Sequence, residues 1–348
     1  MSKLMAWAAV AALLVCGPLG RCADKALTQR LLNAAQGSSL DDPALKPWHL
    51  KLTFQLYDKK GAAAEGGTIE EWWSAGDDKR IYTSRSYSST DIRRDKDVYR
   101  TKSQLPAPYL LDRLRDEVVH PLAADAEIND SVPDLRVLTL GKTNLDCIML
   151  DHPMTNVGYP PVGLFPTFCL DRDKDRLRDS YRYGLENSAR NTIGTFQGKG
   201  IAVEIVVSQD RVIEAKAHVD TLAVFAPDAH FFEPDDSLET QDSKARPVSG
   251  GVIAGNIVSK IDPVYPEVDK QSHTQGQVHL NAEIGADGRI RQLSVIDAPS
   301  STLAISALIA VRQWVYKPYL LNGRPCSVNT TVTVNYIPGP NRAYEFSQ

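Results

Sequence analysis

From Trp48 to Leu56 apolar and polar side chains alternate: Trp48, Leu50, Leu52, Phe54 and Leu56 are interleaved with His49, Lys51, Thr53 and Gln55. That is the period of a strand with one buried face. Similar signals predict strands near Ile69 to Trp73, Arg80 to Tyr87, Arg136 to Leu140, Cys147 to Leu150, Thr167 to Leu170, Ile201 to Val207 and Arg211 to Leu222. Helical spacing instead relates Leu27, Leu31 and Leu32, and again Leu110, Leu111, Leu114 and Val118, so a short first helix and a second over Pro108 to Val119 are expected. Many antiparallel strands with two helices predict a curved sheet wrapped around a helix.

The pattern changes after residue 233. Residues 234–251 are acidic, then polar, with Pro247 and Gly250-Gly251 and no apolar period, which predicts a linker. Beyond it, Val278, Leu280, Ala282 and Ile284 alternate with Gln277, His279, Asn281 and Glu283, and Asp287-Gly288 supplies a tight hairpin turn. The return strand carries Ile290, then Leu293 and Val295. Its apolar phase slips at Arg291-Gln292, which predicts a β-bulge. Ser300 or Ser301 caps a helix whose stripe is Leu303, Ala304, Ala307, Leu308, Val311 and Trp314, and Pro318 stops the helical course. In a last strand Val328, Thr330, Val332, Val334 and Tyr336 alternate with Asn329, Thr331, Thr333 and Asn335. One face covers the helix, and no charge or proline within the strand blunts its edge.

The order Asp262-Pro-Val-Tyr265-Pro266, two strands around Gly285-Ala-Asp-Gly288, a helix, Gln313-Trp314-Val-Tyr-Lys-Pro318, Asn322-Gly323 and a last strand resembles the C-terminal domain of the TonB family. The resemblance implies a small α+β fold that does no chemistry and binds other envelope proteins by strand addition, with outer-membrane transporters as partners. Carried onto this sequence, it implies a partner-binding set of Tyr265, Pro266, Val328, Thr331, Val332, Thr333, Val334, Asn335 and Tyr336. Asp262 stands where TonB-like chains often have glutamine. The first block, with Trp72-Trp73, looks like the LolA-like half-barrels of periplasmic lipoprotein carriers, and this implies the alternative of a carrier or sensor of a lipid or other apolar ligand. The expected fold class is α+β: an antiparallel half-barrel over 23–233, a linker over 234–251 and a TonB-like domain over 252–338.

Composition sets the compartment. Lys3, an apolar run from Leu4 to Cys16 and the breaker Gly17-Pro18 have the order of a cleaved secretory signal, 1–22, too short for a membrane span of ~20 residues. Leu19-Gly20-Arg21-Cys22 also resembles a lipoprotein box, so a lipid anchor is the alternative to plain export. Its removal deletes Lys3 and Arg21 and no acidic residue, moving the formal charge of the 348-residue chain from −4 to −6. Such a chain offers nothing to nucleic acid. Cys147 and Cys169 flank a loop rich in glycine and proline inside a predicted strand pair, and in an oxidising compartment they are expected to form a disulfide, with two buried thiols as the alternative. Cys326 stands outside that pair.

Chemical motifs are weak. Asp171-Arg-Asp173-Lys-Asp175 resembles half a calcium loop, but the interleaved cations and the missing glycine and glutamate make it a solvated hairpin tip. Asp151-His152 has no serine elbow or second histidine at ligand spacing. Trp72, Trp73, Tyr82, Tyr87 and Tyr99 line either an apolar cavity or a sheet core. No catalytic residue, metal or cofactor is expected.

Overall fold

The computed structural model describes residues 24–140, 143–152, 160–182, 186–241 and 245–337; the expected signal segment, 1–22, lies outside them. Helix α1 (Lys25–Ser38) starts where the Asp24 carboxylate accepts the backbone N–H groups of Ala26 and Leu27. Then come β1 (Trp48–Tyr57), β2 (Ala63–Ser74), β3 (Asp77–Ser84), β4 (Ser88–Arg94) and β5 (Asp97–Thr101), followed by α2 (Tyr109–Val119) and α3 (Asp125–Asp130). The sheet resumes with β6 (Val132–Leu140), β7 (Thr143–Asp151), β8 (Thr167–Asp171), β9 (Leu177–Arg182), β10 (Glu186–Phe196), β11 (Lys199–Gln209) and β12 (Val212–Val224), and β13 (Leu238–Gln241) ends it. These strands form one 13-stranded antiparallel sheet in the order β13-β5-β4-β3-β2-β1-β12-β11-β10-β9-β8-β7-β6. The sheet is curved and unclosed, as expected of a half-barrel.

Helix α2 occupies the concave face, where Leu111, Leu114, Val118 and Val119 pack into a core with Trp48, Leu50, Leu52, Phe54, Trp73 and Tyr82. Trp73 stacks on Trp48, with ring centroids 5.8 Å apart. Adjacent positions on a strand face opposite ways, so Trp72 lies on the other side, stacked on His49 and tilted against Phe231. Each fully buried side chain of this size stabilises the fold by roughly 1.5–3 kcal/mol.

Polar residues fill the rest of the concavity, which is why β9 and β10 escape a hydrophobic reading. Their inward positions include Ser180, Glu186, Ser188 and Arg190, all buried. Glu117 of α2 pairs with Arg113 at 2.6 Å and with Arg190 across the core. On the other flank of α2, Arg115 meets Glu71 at 2.6 Å and Arg80 meets Asp78 at 2.9 Å. Burial opposes the charge on Glu71, but Arg115 and Arg80 hold its carboxyl below the usual range. Cys147 and Cys169 sit directly opposite each other on β7 and β8 and are joined by a disulfide. Asp171 accepts from the backbone of Lys174 and Arg176 at the hairpin tip, while Asp175 pairs with Arg30 of α1.

The stretch expected to be a plain linker is partly ordered into strands: β13 pairs with β5, and β14 (Arg246–Pro247) pairs parallel with the last strand of the chain. Leu238 is the reason for the first, since it buries beside Ile92 and Phe232 on the outer face of the large sheet. After β14 follow α4 (Gly250–Ala254), β15 (Ile257–Ser259), α5 (Glu267–Gln271), β16 (Gly276–Ile284), β17 (Ile290–Asp297), α6 (Ser301–Val311), β18 (Val315–Tyr316), β19 (Tyr319–Leu321), β20 (Arg324–Cys326) and β21 (Val328–Tyr336). The second sheet has the order β14-β21-β16-β17 and packs on α6. The Ser300 hydroxyl caps α6 by accepting the Leu303 N–H.

Arg291 is the extra residue of the predicted bulge: Glu283 faces Gln292 and Ile284 faces Ile290. A second bulge, at Ile296, has no polar-pattern signature. The helix stops at Val311, short of Trp314, because Val315 and Tyr316 are drawn into pairing with β15. Tyr316 N–H also donates to Gly288 O at 2.8 Å. Gly288 has φ of +75°, and a Cβ there would lie 1.9 Å from Tyr316 O, so both the turn and the contact require glycine.

Candidate functional site

Two cross-unit contacts fix the second sheet against the first. The bulged Arg291 donates to Ala107 O at 2.6 Å, just ahead of α2. Arg312, after α6, donates to the buried Glu186 at 2.9 Å and to Glu214 at 2.5 Å. Met149, Leu164 and Phe165 of the first unit also join the core under β16, β17 and β21. The small sheet therefore sits on a firm base, with its β21 side turned away from β17.

β21 pairs with β16 along its whole length, from Val328 opposite Ile284 to Tyr336 opposite Gly276. Its outer side can be read from one hydrogen bond: Val248 N–H donates to Asn329 O at 2.9 Å, so the backbone groups of Asn329 turn away from β16. Backbone polarity alternates along a strand, so Thr331, Thr333 and Asn335 turn the same way and Val328, Thr330, Val332, Val334 and Tyr336 turn to β16. The nine-residue strand thus offers an outer edge of alternate residues.

The residues expected at the binding site divide accordingly. Thr331 and Thr333 present backbone groups at the edge. Asn335 turns to the same side, but its side chain is buried. Val328, Val332, Val334 and Tyr336 instead point their side chains into the core. Tyr336 donates to Leu303 O, and Tyr265 meets its ring edge-on at 5.5 Å while donating to Thr274 O at 2.6 Å. Tyr265 and Tyr336 brace the fold. Pro266 opens α5.

The edge is also less open than its own composition predicts. β14 and α4 lie along its first half: Arg246 N–H donates to Ser327 O at 2.9 Å, Val248 N–H covers Asn329, and a Cβ on Gly250 would come within 2.5 Å of Thr331 O. The protection comes from a separate segment, which the sequence of the strand itself does not reveal. Between this strap and the edge lies a cavity of about 590 Å³ lined by Ile253, Ile257, Trp314, Tyr316 and Thr331 to Thr333. Its walls are mostly apolar, so the edge comes with a place for a side chain beside it. Among the described residues, no group of three or more His, Cys, Asp or Glu is placed to hold a metal, and no helix is long and apolar enough to cross a membrane.

The first block is similar in outline to a LolA superfamily protein from Nitrosomonas europaea: 12% identity over 60% of this chain and 97% of that one, with a TM-score of 0.40. A DUF1329 family protein from Desulfovibrio piger gives 9% identity, the same coverages and a TM-score of 0.39. No curated protein matches the sequence. Residues 261–338, which include α5, β16, β17, α6 and β21, match the family described as Gram-negative bacterial TonB protein C-terminal.

Proposed function

We infer that this chain is a non-enzymatic cell-envelope protein of the periplasm, and that it captures an extended segment of another envelope protein along the outer edge of β21. The observation that carries the reading is the outward turn of Thr331 and Thr333 beside the apolar cavity. An added strand gains backbone hydrogen bonds worth ~0.5–1.5 kcal/mol each, and the cavity takes one of its side chains. The family match over 261–338 supports an outer-membrane receptor as the class of partner. The large sheet serves as the platform. For the alternative, an apolar ligand carried by the first block, α2 takes up part of the inner face, and the cavity of about 470 Å³ left between α1, α2 and the sheet is lined by Glu117 and Arg190 beside Ala34, Ile193 and Ala202.

The test is site-specific photo-crosslinking in cells, with the probe at Thr331 or Thr333 and a control probe at the exposed Leu320, on the β19–β20 hairpin. Adducts with one extended segment of an envelope protein are expected from the two edge positions and none from the control. Adducts from Leu320 with none from the edge would overturn it.

A further inference from the structure

β6 ends the large sheet, with β7 on one side and no strand on the other among the described residues. Leu150 N–H donates to Pro166 O at 2.8 Å, so Leu150 turns toward β8 and the alternate residues Met149 and Cys147 turn toward β6. Their partners are Asp134 and Arg136. Pro133, Leu135, Val137 and Thr139 therefore direct their backbone groups outward. The side chains of Leu135 and Val137 are 42% and 58% exposed, together on one face. On the other face Asp134 and Arg136 form an ion pair at 2.5 Å. From Leu135 onward such an edge can template another strand, provided that the strand accommodates Pro133 and the two charges, the features that otherwise blunt an edge.

We propose that β6 pairs antiparallel with β6 of a second copy of this chain about a two-fold axis, with Leu135 opposite its own equivalent. In a two-fold antiparallel pair these outward backbone groups meet wherever the axis passes through a residue, and at the middle of the strand it can pass through residue 134, 135 or 136. Centring on residue 134 or on residue 136 sets two carboxylates or two guanidiniums against each other, which is destabilising. Centring on Leu135 sets Asp134 opposite the partner's Arg136 and Arg136 opposite the partner's Asp134, while the exposed Leu135 meets its own equivalent and the exposed Val137 lies opposite the buried Pro133. The interface is isologous and joins the two large sheets into one. Pro133, which lacks an N–H, ends the pairing where it meets Val137.

Sedimentation velocity of the full chain over a concentration series tests this. A reversible dimer is expected, weakened about tenfold or more by Leu135→Lys and by Asp134→Arg or Arg136→Asp alone. Mixing the Asp134→Arg and Arg136→Asp proteins in equal amounts restores the dimer, because each supplies the charge that the other lacks, and two merely misfolded proteins cannot do this. A monomer at every concentration overturns the proposal. So does a dimer that Leu135→Lys leaves unchanged, or a mixture no tighter than its separate components.

Discussion

Val248 donates its N–H to the carbonyl of Asn329 at 2.9 Å, and this one bond both shows which way β21 faces and ties the strap over the first half of its edge. Within the proposed function, strap and partner compete for the same backbone groups. Val248→Pro removes the donor without touching β21, at the cost of one hydrogen bond worth ~1 kcal/mol. Capture of the partner through Thr331 is expected to rise several-fold in the crosslinking yield; an unchanged yield means that the strap and the partner do not compete.

Arg312 is the strongest link between the two units, because Glu186 is fully buried and its other close partner is the Tyr109 hydroxyl at 2.5 Å. Removing the guanidinium leaves the buried carboxylate with only the more distant Arg113, at 3.7 Å, as its cation. Arg312→Met is expected to lower stability by about 3 kcal/mol, read as a shift in the urea midpoint. A change below about 0.5 kcal/mol would assign the contact to the category of ordinary surface pairs.

Asp179 gives stability a pH dependence of definite sign. Burial raises its pKa from 3.8 to about 6, against hydrogen bonds from Asn187, the Ser180 backbone and Tyr181. Because the folded pKa lies above the unfolded one, the folded state binds the proton more tightly, and this group's contribution to stability grows as pH falls through 6 toward 4. Above pH 6 the ionised carboxylate is a burden. Asp179→Asn is expected to stabilise the protein at pH 7.5 and to lose that advantage near pH 4.5, measured by denaturant unfolding at both values. A variant equally destabilised at both would contradict the assignment.

The disulfide between Cys147 and Cys169 ties together positions 22 residues apart. Reduction is expected to lower stability by roughly 3 kcal/mol, on the chain-entropy account. Thiol labelling after unfolding without reductant, followed by peptide mapping, should leave both positions unlabelled; labels at 147 and 169 would show two thiols.

Sequence reading succeeded where one physical signal dominated. The alternation of Trp48 to Leu56 became β1, the slip at Arg291 became a bulge, and Ser300 became a cap, because each depends on neighbours within a few residues. It failed where the stabilising partner is remote. β10 buries Glu186, Ser188 and Arg190, which only the charges on α2 and Arg312 make possible, so no hydrophobic period marks it. Trp314 shares the helical stripe of α6 yet leaves the helix, since Tyr316 is claimed by Gly288. At the candidate site, alternation separated Thr331 and Thr333 from Val332 and Val334, but the strap from Arg246 to Ala254 has no counterpart in the pattern of β21.

The central claim, that the outer edge of β21 is the pairing surface, is tested most directly by two prolines one residue apart. Thr333→Pro removes an N–H that points away from β16, whereas Val332→Pro removes one that pairs with Leu280. Circular dichroism and the crosslinking yield from a probe at Thr331 are measured on both proteins. The account predicts that the Thr333→Pro protein keeps its fold and loses the adduct, while the Val332→Pro protein loses the fold of the small sheet. A folded Thr333→Pro protein that still forms the adduct at wild-type yield would contradict strand addition along this edge.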